Sequence, residues 1–189
     1  MSDDPYVYPG TDVLINREAI RDRSELEVFE RVITANRMEH LPRNIPLTAR
    51  GYRQIHRHIF ESVYAWAGKD RTVNITKGGH MFCLVPYIAS NLDQRFAAIH
   101  AENKLIGTTR NDFVARAAVH VSELNAIHPF REGNGRTVRA WLQRFGETAG
   151  HPIALERISP QPWINASIGS FRHGDYAAMR EVISRALID

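Results

Sequence analysis

The 189-residue chain has a single cysteine, Cys83, so no disulfide can close within it and no pair of thiolates can hold a metal. It has no apolar run near the ~20 residues that span a bilayer, which excludes a helical membrane anchor. The opening MSDDPYVYPG is acidic and polar and lacks the basic start and apolar stretch of a signal peptide. A cytosolic protein is therefore expected, although a specialised secretion system that delivers a protein into a host cell leaves no such mark. Repeats, low-complexity segments and long linkers are missing, which argues for one domain with a sizeable core. A strong charge excess is missing too. The formal net charge is +3, a mild value that gives no footprint of a dedicated nucleic-acid binder. An anionic small substrate such as a nucleoside triphosphate accounts for the arginines equally well.

What is present reads as mainly α. Apolar residues recur at helical spacing over about residues 24–37 (Leu26, Phe29, Val32, Ile33), with Ser24 as a cap. They recur again over 48–68 (Ile55, Ile59, Val63, Trp66), with Gly68 closing the helix. Residues 71–83 break that pattern. RTVNI alternates, Lys77-Gly78-Gly79 signals a turn and HMFC returns, which predicts a β-hairpin. Further helices are predicted over about 86–103 and from a Thr109 cap to about Ala126. Another is predicted over about 134–150, followed by a short one from Ser159-Pro160 through Trp163 and a last one capped by Asp175.

Between two of these helices lies HPFREGNGRTVR, residues 128–139. Each residue type there suits one task in phosphate chemistry. His128 can take a proton near neutral pH. Glu132 can hold a magnesium ion, which commonly uses one carboxylate plus phosphate oxygens. Gly133, Asn134 and Gly135 free backbone N–H groups to face an anion where a helix begins. Arg136 and Arg139 lie three apart on one helix face and can clamp phosphates. Phe130 is expected to anchor the loop in the core. Arg131, Arg144 and Arg157 are expected to be solvated surface charges.

These residues resemble the signature of the Fic (filamentation induced by cAMP) family, His-x-Phe-x-Asp/Glu-Gly-Asn-Gly-Arg-x-x-Arg. His128, Phe130, Glu132, Gly133, Asn134, Gly135, Arg136 and Arg139 fill every fixed position. The hairpin RTVNITKGGHMFC resembles the family's flap, and the opening DPYVYPGTDVLIN resembles stand-alone bacterial Fic toxins and the Fic domains of related secreted effectors. The resemblance implies a single-domain helical bundle over 1–189 with a core at about 48–150, a flap at about 71–83 and an active-site loop at 128–139. It also implies transfer of AMP from ATP, with Mg²⁺, to a Tyr, Thr or Ser hydroxyl of a target protein. On it, His128 is the base, Glu132 holds the metal, and the glycine turn with Asn134 stabilises the α-phosphate. Arg136 contacts the β-phosphate and Arg139 the γ-phosphate. The flap residues Ile75, Thr76, Lys77, Gly78 and Gly79 dock the target by strand addition.

Relatives of this kind are silenced by a helix bearing Ser/Thr-x-x-x-Glu-Gly/Asn, whose Glu pairs with the second arginine. That motif is not found here, since Ser24-Glu-Leu-Glu has the wrong spacing and Glu39 precedes His. The resemblance therefore implies a small separate antitoxin, in a toxin–antitoxin pair whose targets include type II topoisomerase subunits. A secreted effector acting on host small GTPases is the alternative. So are transfer of a phosphate or phosphocholine, which Gly135 and Arg139 disfavour, and an idle binding module.

Overall fold

The computed structural model describes residues 4–188, in which seven α-helices surround one short β-hairpin. Helix α1 spans Arg23–Glu39. Its cap is Asp22 and not Ser24: the Asp22 carboxylate accepts the Glu25 N–H at 2.8 Å. Val32 is 61% exposed, so the buried stripe is narrower than the spacing implies and rests on Leu26, Phe29 and Ile33.

Helix α2, Ala49–Phe60, starts where expected, with Thr48 as its cap, but stops well short of Gly68. Beyond Phe60 the chain makes tight turns, among them Val63 N–H to the Phe60 carbonyl at 2.9 Å and Ala67 N–H to the Tyr64 carbonyl at 3.2 Å. Gly68 then takes a positive φ of 80° and gives its N–H to the His56 imidazole at 2.8 Å. Side-chain capture of the chain by His56 thus ends the helical course that periodicity alone would continue.

The hairpin is also shorter than expected. β1 (Thr76–Lys77) pairs antiparallel with β2 (His80–Met81) around Gly78-Gly79, both at positive φ. The stretch before it is not strand because Arg71, Val73 and Asn74 direct their polar groups at the neighbouring loop and not at a ladder.

Helix α3 is Ile88–Ala101 and α4 is Arg110–Ile127, with Thr109 accepting the Asp112 N–H at 3.2 Å. Helix α5, Asn134–Ala149, ends at Gly150, whose φ of 85° suits only glycine well. Helix α6 runs Pro160–His173, far past Trp163. Trp163, Ala166 and Ser170 recur at helical spacing and are buried, which carries it on. Helix α7, Ala177–Ala186, follows Asp175, which accepts the Ala177 N–H.

The core sits where α2, α4 and α5 meet, with α3, α6 and α7 against α4 and α1 against α2. Trp141 and Phe145 of α5 stack at 4.7 Å, and Phe145 leans on Phe113 of α4 at 5.8 Å. This packing fixes the end of α4 against the start of α5. The loop between them therefore has a defined place. Among the described residues, no helix is long and apolar enough to cross a membrane.

Candidate active site

The 128–133 loop is closed by two internal devices. Asn134 uses both ends of its amide on one residue: Oδ1 accepts the Phe130 N–H at 2.9 Å and Nδ2 donates to the Phe130 carbonyl at 2.7 Å. The side chain is 3% exposed, so any phosphate contact from this position falls to its backbone N–H. Phe130 is fully buried and stacks on the His56 ring at 3.8 Å. His56 accepts the Gly68 N–H at Nδ1, so its proton is on Nε2, which donates to the Glu132 carbonyl at 3.0 Å. Burial pushes the His56 pKa down to about 3, which holds this strut neutral.

His128 is the residue after α4 and takes a left-handed conformation with φ 49° and ψ 59°. Its Nδ1 lies 3.1 Å from the Asn125 carbonyl. A carbonyl only accepts, so Nδ1 carries the proton and the neutral ring keeps a lone pair on Nε2. The Phe82 ring lies parallel to it at 3.8 Å. Burial is the main cause that brings the His128 pKa to about 4; Arg71 and Lys77 lower it further, against the Asn125 bond. At neutral pH the imidazole is therefore a proton acceptor held in one tautomer.

The next segment is a glycine turn into the start of α5. Gly133 has φ 82°, and a Cβ there would meet Phe60 at 2.2 Å. The first N–H groups of α5 have no partner within the helix and sit at its positive end. Glu132 is half exposed at this end; its Oε1 accepts the Gly133 N–H at 2.7 Å and lies 3.5 Å from Arg136 Nη2. Among the described residues no group of three or more His, Cys, Asp or Glu forms a metal cage. A single carboxylate beside an anion site suits a magnesium ion that draws its other ligands from phosphate and water.

The two arginines differ in setting. Arg136 pairs with Glu30 of α1 at 2.6 Å, donates to Thr34 at 3.1 Å and lies over the Phe60 ring at 4.7 Å. Glu30 also accepts the Tyr64 hydroxyl. Arg139 makes no ion pair among the described residues, and its Nε is buried without a partner. Burial and the neighbouring Arg136 charge lower its pKa. It lines a cavity of about 530 Å³ whose wall also carries Arg43, Gln143 and the carboxylates of Glu39, Glu147 and Glu156.

The flap stands beside His128. Thr76, Lys77, Gly78 and Gly79 are exposed and Ile75 is half-buried. Its turn is held from α6, where Arg172 donates to the Gly78 carbonyl at 3.1 Å and Phe171 stacks on Phe82 at 4.8 Å.

The structure thus gathers the motif residues on one loop and helix start. Of the three arginines expected in solvent, Arg157 is exposed and Arg131 and Arg144 are partly buried, and each has a partner. Arg131 pairs with Asp4 at 2.8 Å, Arg144 pairs with Glu147, and Arg157 donates to the Leu187 carbonyl at 2.9 Å. The Arg131 and Arg157 partners are distant in sequence, whereas Glu147 lies one helical turn from Arg144. His56, Phe82, Phe171 and Glu30 carry no local signal of their own and emerge only from contact.

A helical bundle that offers a neutral histidine and an anion-binding helix start on one loop is a scaffold for phosphate-ester chemistry. Residues 46–145 match the Fic/DOC family, and the chain belongs to it. It is 38% identical over 186 residues to "Probable protein adenylyltransferase y4lH" of Sinorhizobium fredii, covering 98% of this chain and 96% of that protein. It is 32% identical over 189 residues to "Probable protein adenylyltransferase Fic" of Escherichia coli, covering 97% and 92%. Among solved structures it resembles the BepC effector of Bartonella tribocorum with bound AMPPNP, at a TM-score of 0.89 and 25% identity, covering 97% and 96%.

Proposed function

We propose that this chain is a protein adenylyltransferase that moves AMP from ATP to a hydroxyl of a target protein. The observation that carries this reading is His128, a half-buried neutral imidazole with Nδ1–H committed to Asn125 and Nε2 left basic, beside the glycine turn that opens α5. Nε2 takes the hydroxyl proton, the oxygen forms a bond to the α-phosphorus, and the bond to the leaving pyrophosphate breaks. The α5 N–H groups and Arg139 offset the phosphate charge. Glu132 would hold Mg²⁺, which supplies charge neutralisation at the phosphates. The names of the relatives and the ATP analogue bound to BepC support ATP as the donor. The exposed flap supports docking of an extended target segment.

Arg139 lacks an acidic partner and lines a cavity between α1 and α5. That supports control by a separate small chain whose carboxylate reaches it, as in a toxin–antitoxin pair; type II topoisomerase subunits in the cytoplasm are proposed as targets on the family resemblance alone.

The test is incubation with α-labelled ATP, Mg²⁺ and lysate, beside γ-labelled ATP and a His128→Ala control. A protein band labelled only from α-ATP and lost in the control is expected. Labelling from γ-ATP alone would reverse the reading to phosphate transfer, and no label from folded enzyme would end it.

A further inference from the structure

Arg71 is 2% exposed, and no side chain contributes to its hydrogen bonding. Its Nε donates to the His128 carbonyl at 2.8 Å and its Nη1 to the Val73 carbonyl at 2.7 Å. Its Nη2 donates to the Cys83 carbonyl and lies 3.5 Å from that of Ile127, and its own N–H donates to the Pro129 carbonyl at 2.8 Å. Every acceptor is a backbone carbonyl. Val73 precedes the hairpin and Cys83 follows it, whereas Ile127, His128 and Pro129 are the end of α4 and the start of the motif loop.

A buried guanidinium without a carboxylate is expensive, by several kcal/mol before compensation. Here the compensation is local. The last carbonyls of α4 lack helical partners and carry the negative end of the helix dipole. Core stability alone would be served as well by an apolar side chain of similar volume. What an apolar residue cannot do is bind three separate chain segments at once. The planar fork of an arginine can, and a lysine, with donors at one point, cannot.

Resting on the adenylyltransferase reading, we propose that Arg71 is a positioning residue that joins both arms of the flap to the backbone of His128, so that the target-docking hairpin and the catalytic base hold one fixed geometry. It does not touch the reacting atoms. It acts by holding the His128 peptide in its left-handed conformation, a state of higher energy for a non-glycine residue. It also holds the exit of the hairpin, Cys83, next to Phe82, whose ring lies on the imidazole.

The test compares Arg71→Lys and Arg71→Met with wild type in the full chain. Transfer kinetics and the ¹H–¹⁵N signals of the His128 ring and of the flap amides of residues 76–79 are the readouts. The expected result is a kcat lower by on the order of 100-fold in Arg71→Met and by about tenfold in Arg71→Lys. The KM for ATP should stay within about twofold, because the anion site lies on α5. In Arg71→Lys the His128 and flap signals should shift together. Flap signals that move while His128 stays put would overturn the coupling. So would a kcat that falls only in step with the folded fraction measured by circular dichroism. If Arg71→Met does not fold, Arg71→Lys decides both points. If wild type transfers no AMP, the functional reading fails, and the joint shift of the two sets of signals still tests the coupling.

Discussion

The rings of Phe82 and His128 lie face to face, 3.8 Å apart and 10° from parallel, so the flap covers one face of the proposed base. Phe82 is 7% exposed and keeps water from one face of the imidazole. Phe82→Ala should admit that water and raise the His128 pKa from about 4 by roughly one unit or more. An NMR titration of the ring measures this directly. An unchanged value would mean that Phe82 does not contribute to the burial of His128.

Histidines whose pKa values burial lowers, among them His56, His120 and His128, set a pH dependence of stability. His56 and His128 have folded pKa values of about 3 and about 4, below their ordinary 6.5. The unfolded chain therefore binds more protons between about pH 4 and 6.5, and stability must fall as pH falls through that window. The slope is at most about 1.4 kcal/mol per pH unit for each histidine. Urea titrations from pH 7 to 4.5 should show it, and His56→Gln should flatten it. The base itself stays neutral there, so the acid limb of kcat is expected below pH 5 and not near 6.5.

Gly133 and Gly135 should respond differently to alanine. At Gly133 the new Cβ meets Phe60 at 2.2 Å and φ is 82°, so Gly133→Ala should lose on the order of 3 kcal/mol of stability. At Gly135 a Cβ meets nothing within 4 Å, so Gly135→Ala should fold at least as stably as wild type. If Gly135 serves backbone approach to a phosphate, the KM for ATP rises even so. Thermal unfolding and nucleotide titration of both variants separate the two roles.

The two arginines should separate in the same way. Arg136→Ala leaves Glu30 without its cation in a mostly buried pocket and should destabilise by about 2 kcal/mol. Arg139→Ala removes a charge with no partner and should leave the melting temperature near that of wild type while weakening ATP binding at least tenfold. Equal losses of stability in both would contradict the difference in their surroundings.

Much of the site is legible in the chain because its chemistry is concentrated in twelve consecutive residues, 128–139. The start of α2 near residue 48, the Thr109 cap and the end of α5 near Gly150 follow from local spacing in the same way. Errors arise where a distant side chain intervenes. The α2 course ends early because His56 draws in Gly68, and the hairpin is short because Arg71 holds the chain before it. Helix α6 extends beyond Trp163 because Ala166 and Ser170 find burial that only the assembled core provides.

By itself the sequence determined the parts of the candidate site: a histidine, a carboxylate, a glycine turn and two arginines in fixed order at a helix start. Tertiary structure alone decided how each is used. It ties Asn134 to Phe130, pairs Arg136 with a glutamate 106 residues away, leaves Arg139 unpaired, and clamps His128 through an arginine 57 residues before it. Periodicity and motif spacing report only neighbours along the chain. Burial, tautomer and charge pairing depend on residues that meet only when the helices pack.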